Sequence, residues 1–336
     1  MRHLFTVTSG AIASLILGLP WASAQPLPEE TAATPSLILV VGAPGQDEYT
    51  EQFSAWAARW RSAAEKAGMA VTGIGPGALR EGETSRGNAS DRDRLIAALK
   101  AQPTEGAELW LVFIGHGTFD GKTARFNLAG PDFTPGELSE WLKTFQRPLA
   151  IINCASASGP FVSTLSAPGR VVISATRSGN EQNFARFGEH LSKALVEPEA
   201  DLDKDGQTSL FEAWLTASRA TAEFYRAEGR LATEHPLLDD NGDLQGTSPD
   251  WFQGMRAVKK PKSGLVDGTR AHQFHLLPSA QERKLPAALR ERRNALELEL
   301  VGLREQKGTF ANEDEYYTQL EKLLVELAEL YEQAGK

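Results

Sequence analysis

Two short apolar runs constrain the fold of this sequence most, because each one ends at a side chain that can take part in catalysis. Residues 109–117 (LWLVFIGHG) lead to His116, and residues 148–159 (PLAIINCASASG) lead to Cys154, the one cysteine of the 336 residues. Continuous apolar runs of this length predict strands that are buried on both faces, as in a parallel sheet. Neighbouring parallel strands would bring both side chains to one carboxyl edge, where open α/β folds bind their ligands.

Apolar runs and amphipathic helical patterns alternate through residues 36–260. Runs such as residues 36–41, 70–74 and 171–175 predict further strands, and helical spacing of apolar side chains separates them. This alternation predicts an α/β fold with a mostly parallel sheet and helices on both faces. Sandwiches and barrels would require strands with a two-residue period, which this sequence lacks.

The two ends of the chain differ in character from this central part. Residues 1–24 combine a positive start, an apolar stretch and an Ala-Ser-Ala site, which predicts a signal peptide, with a retained anchor as the alternative. Residues 25–35 are a polar, Pro-rich lead-in that we expect to be disordered. Residues 261–284 are predicted to be a linker. Residues 285–336 are charged with three- and four-residue apolar spacing, which predicts a helical hairpin or coiled-coil tail for packing or self-association.

Charge and cysteine usage restrict the class of protein. The net charge of −9 and the lack of a basic stripe with interleaved aromatic residues argue against nucleic-acid binding. A chain with one cysteine cannot form an internal disulfide. Cys154 is therefore either a reactive thiol or a small buried hydrophobe.

The residues around the two strand ends match the requirements of acyl transfer. A thiolate attacks carbonyl carbon, and an imidazole promotes its formation and later protonates the leaving amine, which suits Cys154 and His116. The backbone N–H of Gly117 is a candidate oxyanion donor. The small residues after Cys154, including Ser156, would leave it accessible. A serine hydrolase is disfavoured because no serine lies in a G-x-S-x-G turn.

An apolar strand that ends in His-Gly, followed 38 residues later by one that ends in Cys, resembles the clan of caspases, legumains and gingipains. The legumain-like branch is the more similar one, because residues 40–49 resemble its opening segment and residues 174–176 resemble its Ala-Thr stretch after the nucleophile. The resemblance covers residues 37–195. It implies a caspase-like fold in which Cys154 is the nucleophile, His116 the general base and acid, and Gly117 an oxyanion donor.

The sequence departs from the legumain pattern around the specificity pocket. Glu48 stands where legumains carry the asparagine that orients the histidine, and a carboxylate there would also raise the histidine pKa. Thr50 and Glu51 replace the arginine and histidine of the legumain pocket, and Ile152 replaces the acidic residue before the nucleophile. Asparaginyl specificity therefore does not carry over.

The acidic residues near the predicted cleft suggest a basic substrate residue instead. Asp47, Glu48 and Glu51 would supply complementary charge for lysine or arginine before the scissile bond. The full set of predicted substrate-binding residues is Asp47, Glu51, Ser156, Ser174 and Thr176.

Residues 201–212 (DLDKDGQTSLFE), here called the acidic loop, match the twelve-residue calcium loop of EF-hand type. The predicted calcium ligands are Asp201, Asp203, Asp205, the carbonyl of Gln207, Ser209 and Glu212. Thr208 at position eight and Pro198 in place of an entering helix depart from the pattern. The alternative is an acidic turn that only caps the next helix. Residues 239–243 repeat the spacing with Leu244 in the glycine position, which predicts a solvated turn.

Together these features predict an exported cysteine endopeptidase that is periplasmic or secreted and does not stay in the membrane after signal cleavage. It would cleave a protein or peptide through a thioester acyl-enzyme, with Ca²⁺ in a structural role and no cofactor needed for catalysis. The alternative is a catalytically silent module that uses the same sheet and the helical tail for binding and assembly.

Overall fold

The structure is a computed structural model, and it describes residues 34–79, 88–261 and 264–334. The predicted signal peptide, and the predicted lead-in up to residue 33, lie outside the described residues. No helix in the part of the chain that the structure describes is long and apolar enough to cross a membrane.

A six-stranded sheet forms the centre of the molecule, with the order β2-β1-β3-β6-β7-β8. The first five strands are parallel, and β8 pairs antiparallel with β7 at one edge. Two small antiparallel pairs, β4-β5 and β9-β10, lie outside this sheet. The strands are β1 Ser36–Val41, β2 Ala70–Ile74, β3 Leu109–Ile114, β4 Gly117–Phe119, β5 Ala124–Phe126, β6 Leu149–Asn153, β7 Arg170–Ser174, β8 Leu237–Asp239, β9 Phe252–Gln253 and β10 Arg256–Ala257.

Helices cover both faces of this sheet, as the sequence pattern predicts. The helices of the described residues are α1 Asp47–Lys66, α2 Asp91–Lys100, α3 Pro135–Trp141, α4 Gly159–Leu165, α5 Phe187–Ala194, α6 Leu210–Ala227, α7 Thr269–His272, α8 Ala287–Glu305 and α9 Glu313–Ala334. Ser90 caps α2, and Thr134 and Glu137 form a capping box at the start of α3. The prediction of a mostly parallel α/β fold is confirmed.

The side chains of each central strand alternate between two hydrophobic layers. In one layer, Trp110 and Ile152 pack with the apolar faces of α1, α5 and α6. In the other layer, Leu111 and Ile151 pack with α2, α3 and α4. Both faces of these strands are therefore dry, which explains why their sequences are unbroken apolar runs.

The last part of the chain is folded onto this body. The segment predicted to be a linker contains α7, and it places Ala271 and Leu276 in the first layer without exposed surface. Helices α8 and α9 form the predicted hairpin, in which Leu296, Leu327 and Leu330 make a small core of their own.

Candidate active site

The carboxyl ends of β3 and β6 lie side by side, so the two sequence motifs meet at one edge of the sheet. Phe113 of β3 is in register with Asn153 of β6. The pairing continues one residue further, because the Cys154 N–H donates to the Phe113 carbonyl at 2.9 Å. The loops that carry His116 and Cys154 therefore start from neighbouring points of a rigid scaffold.

Gly117 and Ser156 join these two loops directly. The Gly117 N–H donates to Ser156 Oγ at 3.1 Å, and this hydroxyl donates back to the Gly117 carbonyl at 3.0 Å. A Cβ at position 117 would clash with the Ser156 carbonyl, so only glycine permits this approach. The predicted oxyanion donor of Gly117 is thus occupied by a hydroxyl of the Cys154 loop.

His116 lies in an aromatic cage between the sheet edge and α1. The rings of Tyr49, Phe53 and Phe184 have centroids 4.8, 5.2 and 6.0 Å from the imidazole. Nε2 of His116 is 3.1 Å from the Pro44 carbonyl. Burial lowers the pKa of His116, and the Pro44 carbonyl opposes this shift. The imidazole is therefore neutral at neutral pH.

Cys154 belongs to the hydrophobic layer beneath α1 and α5, with only 1% of its surface exposed. A Cβ at Gly188 would lie 2.7 Å from the Cys154 Cβ and about as close to Trp56, at 3.0 Å. Burial raises the pKa of the Cys154 thiol to about 12, and the negative charge of Glu234 adds to this effect. The thiol is therefore protonated at neutral pH, and it has no hydrogen bond to His116.

Two glutamates that the sequence analysis does not single out form hydrogen bonds to the segments around Cys154. Glu234 is buried and accepts the N–H groups of Arg186 and Phe187, each at 2.9 Å, at the start of α5. The Glu181 carbonyl accepts the Ala157 N–H at 2.7 Å, where Ala157 has a left-handed φ of 54°. No local motif reveals these contacts, because each one joins distant parts of the chain.

His235 also finds its partner far away in sequence. Its Nδ1 lies 2.6 Å from Glu181 Oε1, which in turn lies 3.2 Å from Arg177 Nε. Glu181 precedes His235 by 54 residues, so spacing along the sequence does not reveal this pair.

Ser174 and Thr176, predicted to bind substrate, are fully buried in the structure. Ser174 Oγ donates to the Thr176 carbonyl at 2.8 Å, and Thr176 Oγ1 accepts the Gly159 N–H at 3.0 Å. Together with Ser158, whose hydroxyl lies 3.2 Å from Thr176 Oγ1, they fix the loop after Cys154. In this conformation these side chains stabilise the loop after Cys154, and they present no polar group to a ligand.

Asp47, Glu48 and Glu51 lie exposed in the first turns of α1. The Glu48 carboxylate accepts from the Gln52 side chain at 3.2 Å, and it has no hydrogen bond to His116. The predicted role of Glu48 as the group that orients the imidazole is therefore corrected, since the Pro44 carbonyl occupies that place. The reason is geometric. Helix α1 begins at Asp47, and the position of Glu48 in its first turn leaves this side chain exposed to solvent.

The acidic loop gathers its first three predicted ligands. One carboxylate oxygen from each of Asp201, Asp203 and Asp205 lies within 4.8 Å of the other two. Among the described residues this is the one cluster of three or more His, Cys, Asp or Glu groups with metal-binding spacing. Three clustered carboxylates suit a hard cation with oxygen ligands.

Glu212, the predicted last ligand, instead fastens the ends of the acidic loop together. It is buried, and Oε1 accepts the N–H groups of Leu202 and Asp203 at 2.7 and 3.2 Å. Its other oxygen forms the capping box of α6 with Ser209. The Gln207 side chain accepts the Ser279 N–H at 3.0 Å, which links the loop to the last third of the chain.

Comparisons with known proteins found similarity only at the level of structure. No protein-family model matches the chain, and no curated protein matches it. Caspase-1 from Spodoptera frugiperda has a TM-score of 0.38 and 10% identity, and covers 62% of this chain and 87% of its own. The Drosophila initiator caspase Dronc has a TM-score of 0.36 and 12% identity, and covers 61% of this chain and 79% of its own. At these scores the likeness carries no weight for the chemistry of this chain.

Proposed function

We propose that this protein is a cysteine endopeptidase of the caspase and legumain clan, with Cys154 as nucleophile and His116 as general base and acid. The observation that carries the proposal is the junction of the two loops at one sheet edge. β3 and β6 are adjacent and parallel, and Gly117 and Ser156 bond each other across the gap. The strand ends that carry the proposed nucleophile and the proposed general base are therefore neighbours.

The reaction follows from these groups. His116 takes the proton of the Cys154 thiol as sulfur attacks the carbonyl carbon of a peptide bond. The amine leaves with the proton that His116 returns, and a thioester remains on sulfur. Water, deprotonated by His116, then cleaves the thioester and restores the thiol. The neutral imidazole is in the correct protonation state to begin this sequence.

The described conformation corresponds to a resting form in this proposal. The Cys154 thiol is buried beneath α5, and Ser156 Oγ occupies the Gly117 N–H that an oxyanion would need. Substrate would have to displace this hydroxyl and open the aromatic cage around His116. A buried, protonated thiol also resists oxidation between turnovers.

A panel of fluorogenic peptides with Arg, Lys, Asn or Asp before the scissile bond tests the activity. We expect cleavage that falls at least about 100-fold in Cys154→Ala and in His116→Ala, because each removes a reacting group. Thr164→Ala, an exposed change on α4, is the control and should retain full activity. No cleavage by the wild-type chain of any peptide or unfolded protein would contradict the proposal.

The same panel tests the preference for a basic residue. Asp47 and Glu51 are exposed on the first turns of α1, near the His116 cage that includes Tyr49. Removing their charges in Asp47→Asn and Glu51→Gln should lower the rate with Arg substrates and leave the rate with Asn substrates unchanged. Cleavage after Asn or Asp alone would refute the basic preference.

A catalytically silent binding module is the second candidate, and the buried thiol favours it. Cys154 packs against Gly188 like a core residue, and its raised pKa opposes thiolate formation. Iodoacetamide labelling separates the two functions. A thiol that reacts no faster than free cysteine with substrate peptide present, and equally in His116→Ala, would favour the silent module.

We also propose that the acidic loop binds Ca²⁺ in a structural role. Asp201, Asp203 and Asp205 supply clustered oxygens, and Glu212 holds the loop closed from inside the protein. Calorimetry of chelator-treated protein should detect binding that Asp205→Asn weakens at least about 10-fold, since affinity follows ligand charge. An absence of heat at millimolar Ca²⁺ would count against this site.

Export and self-association complete the proposal and are tested separately. N-terminal sequencing of the mature protein should begin at Gln25, after the Ala-Ser-Ala site.

Helix α9 carries Leu324, Val325 and Tyr331 largely exposed, which would suit a second copy of the hairpin. Analytical ultracentrifugation should show a dimer that Leu324→Glu dissociates, and a monomeric wild-type chain would refute the assembly.

A further inference from the structure

A second loop has the same backbone conformation as the acidic loop, although its sequence matches the calcium pattern poorly. Residues 239–247, here called the second acidic loop, begin at the last residue of β8. The fourth residue has a positive φ in both loops, 65° at Lys204 and 79° at Gly242. The sixth residue does too, 91° at Gly206 and 70° at Leu244. Leucine strongly disfavours this region, so the loop takes this shape against the preference of its own residue.

Three hydrogen bonds of the two loops also correspond position by position. The sixth residue differs, because the Gly206 N–H donates to Asp201 Oδ2 whereas the Leu244 N–H donates to Ser166 Oγ. The side chains of the first, third and fifth residues accept the backbone N–H groups of the fourth, fifth and seventh. The distances are 2.7, 3.2 and 3.0 Å in the acidic loop. They are 3.1, 2.8 and 2.8 Å in the second acidic loop, whose accepting residues are Asp239, Asn241 and Asp243.

Asp267, from a distant part of the chain, takes the place that Glu212 has in the acidic loop. Asp267 Oδ1 accepts the N–H groups of the second and third residues of its loop at 2.8 and 3.1 Å. Glu212 does the same in its own loop. The ninth residue completes the match, because the Ser209 hydroxyl donates to Glu212 at 2.8 Å and the Thr247 hydroxyl donates to Asp267 at 2.5 Å.

One oxygen of the second acidic loop points to a ligand independently of this likeness. Asp239 has no exposed surface, and its Oδ1 accepts the Gly242 N–H. Its Oδ2 is buried and has no hydrogen-bond partner among the described residues. The Ser166 hydroxyl lies near Asp239, but no hydrogen bond joins it to Oδ2. A buried carboxylate oxygen without a partner is costly, and a bound cation would remove that cost.

The charges around Asp239 also call for a cation. Asp240 and Asp267 are buried beside it, and Asp243 is half-buried on the loop. In the part of the chain that the structure describes, none of these four carboxylates forms an ion pair with lysine or arginine within 4.0 Å. An acidic cluster without a basic partner suits a bound cation.

We propose that the second acidic loop and Asp267 form a second Ca²⁺ site, with Asp239 Oδ2, Asn241, Asp243 and the carbonyl of Gln245 as ligands. All four donors are oxygen atoms, which selects a hard divalent cation. Asp267 positions the loop as Glu212 does in the acidic loop. This site lies beyond β8 and is independent of the peptidase proposal.

The number of bound ions tests the site directly. Chelator-treated full-length protein is titrated with CaCl₂ in equilibrium dialysis, and the bound equivalents are counted. We expect two equivalents for the wild-type chain, one for Asp243→Asn, one for Asp205→Asn and none for the double variant. Asp243→Asn keeps an oxygen that can accept the Gln245 N–H, so the loop retains its hydrogen bond. Asp250→Asn, an exposed residue that pairs with Lys259, is the matched control and should keep two equivalents.

A gain of affinity provides a second readout that does not depend on a damaged loop. Asn241→Asp adds one charge at the third ligand position and should tighten the ion of this loop several-fold, since calcium affinity follows ligand charge. An equal number of bound ions in the wild-type chain and Asp243→Asn would overturn the site, as would zero equivalents. A single wild-type ion lost in Asp243→Asn but kept in Asp205→Asn would support this site and refute the one at the acidic loop.

Discussion

At position 154 the reactivity of a cysteine depends on what surrounds its sulfur. The side chain emerges where a parallel sheet presents ligands, yet α1 and α5 cover it completely. Nε2 of His116, at the end of the neighbouring strand, lies 3.1 Å from the Pro44 carbonyl oxygen. The two residues of the proposed dyad are therefore carried to one edge of the sheet, and the side chains that cover them limit their access to a substrate.

The buried thiol should make stability fall at alkaline pH. An unfolded thiol ionises near 9.0, whereas Cys154 keeps its proton up to about 12 in the folded state. Above pH 9.0 the unfolded state therefore binds fewer protons, and the free energy of unfolding falls by up to about 1.4 kcal/mol per pH unit. Urea unfolding on both sides of pH 9.0 should show a steeper fall for the wild-type chain than for Cys154→Ala. Equal slopes would show that the thiol ionises normally.

The contact between Gly117 and Ser156 should not tolerate a larger side chain. In Gly117→Ala the new Cβ would push the Ser156 carbonyl away and separate the two loops, at a cost of about 1–3 kcal/mol. Gly136→Ala in α3 is the control, because its new Cβ would meet only Thr134 Oγ1 at an ordinary contact distance of 3.9 Å, and stability should change by less than about 0.5 kcal/mol. Chemical denaturation of both variants measures the difference. Equal stability of the two variants would mean that the loops are not tightly joined.

The elements are held by devices that local sequence can predict. The capping boxes at Thr134 and Ser209 both follow the S/T-x-x-E pattern, and both form in the structure. The short edge strand β8 was not predicted, because three residues that end in an aspartate give no clear strand pattern. Its formation depends on pairing with β7, which is a long-range event.

The cap of α6 should contribute more to stability than the cap of α3. The Ser209 hydroxyl is buried and also lies 3.0 Å from His272 Nδ1, whereas Thr134 is half-buried. We expect Ser209→Ala to cost about 2 kcal/mol and Thr134→Ala about 1 kcal/mol. Thermal unfolding followed by circular dichroism compares them. A larger loss in Thr134→Ala would reverse this order.

The hairpin of α8 and α9 has a small hydrophobic core of its own, and shortening a side chain in that core should destabilise it. Leu296 has no exposed surface, so Leu296→Ala should destabilise the hairpin by about 2–5 kcal/mol. Gln319→Ala, at an exposed side chain of α9, should change stability by less than about 0.5 kcal/mol. Urea unfolding measures both. A small loss in Leu296→Ala would indicate that the hairpin packs loosely.

At the scale of the whole molecule, a single sheet is shared by two hydrophobic layers. Each central strand contributes alternate side chains to both layers, so neither layer can open alone. The segment around α7 extends this unit. Asp240 accepts N–H groups of Gly268 and Ala271, and His272 reaches Ser209 and Asp203, so one segment contacts both acidic loops.

Backbone amides should therefore exchange most slowly in the elements that contribute side chains to both hydrophobic layers. Amides of β1, β3, β6 and β7 should exchange slowest, because these strands are buried on both faces. Amides of α9 should exchange much faster, because its buried leucines pack in the small core of the hairpin. Mass spectrometry of the exchanging full-length chain checks this order. Protection of α9 equal to that of β3 would show that the hairpin unfolds only with the sheet.

The sequence by itself determined the parallel α/β architecture, the two capping boxes and the strand ends that carry His116 and Cys154. These features are encoded locally, in apolar periodicity and in residues three positions apart. Only the tertiary structure decided that Pro44 and not Glu48 contacts the imidazole, that the thiol is covered, and that Asp267 completes the second acidic loop. Each of these contacts joins residues far apart in the chain. Which partners meet across such distances is set by how the layers pack, and spacing along the sequence does not record it.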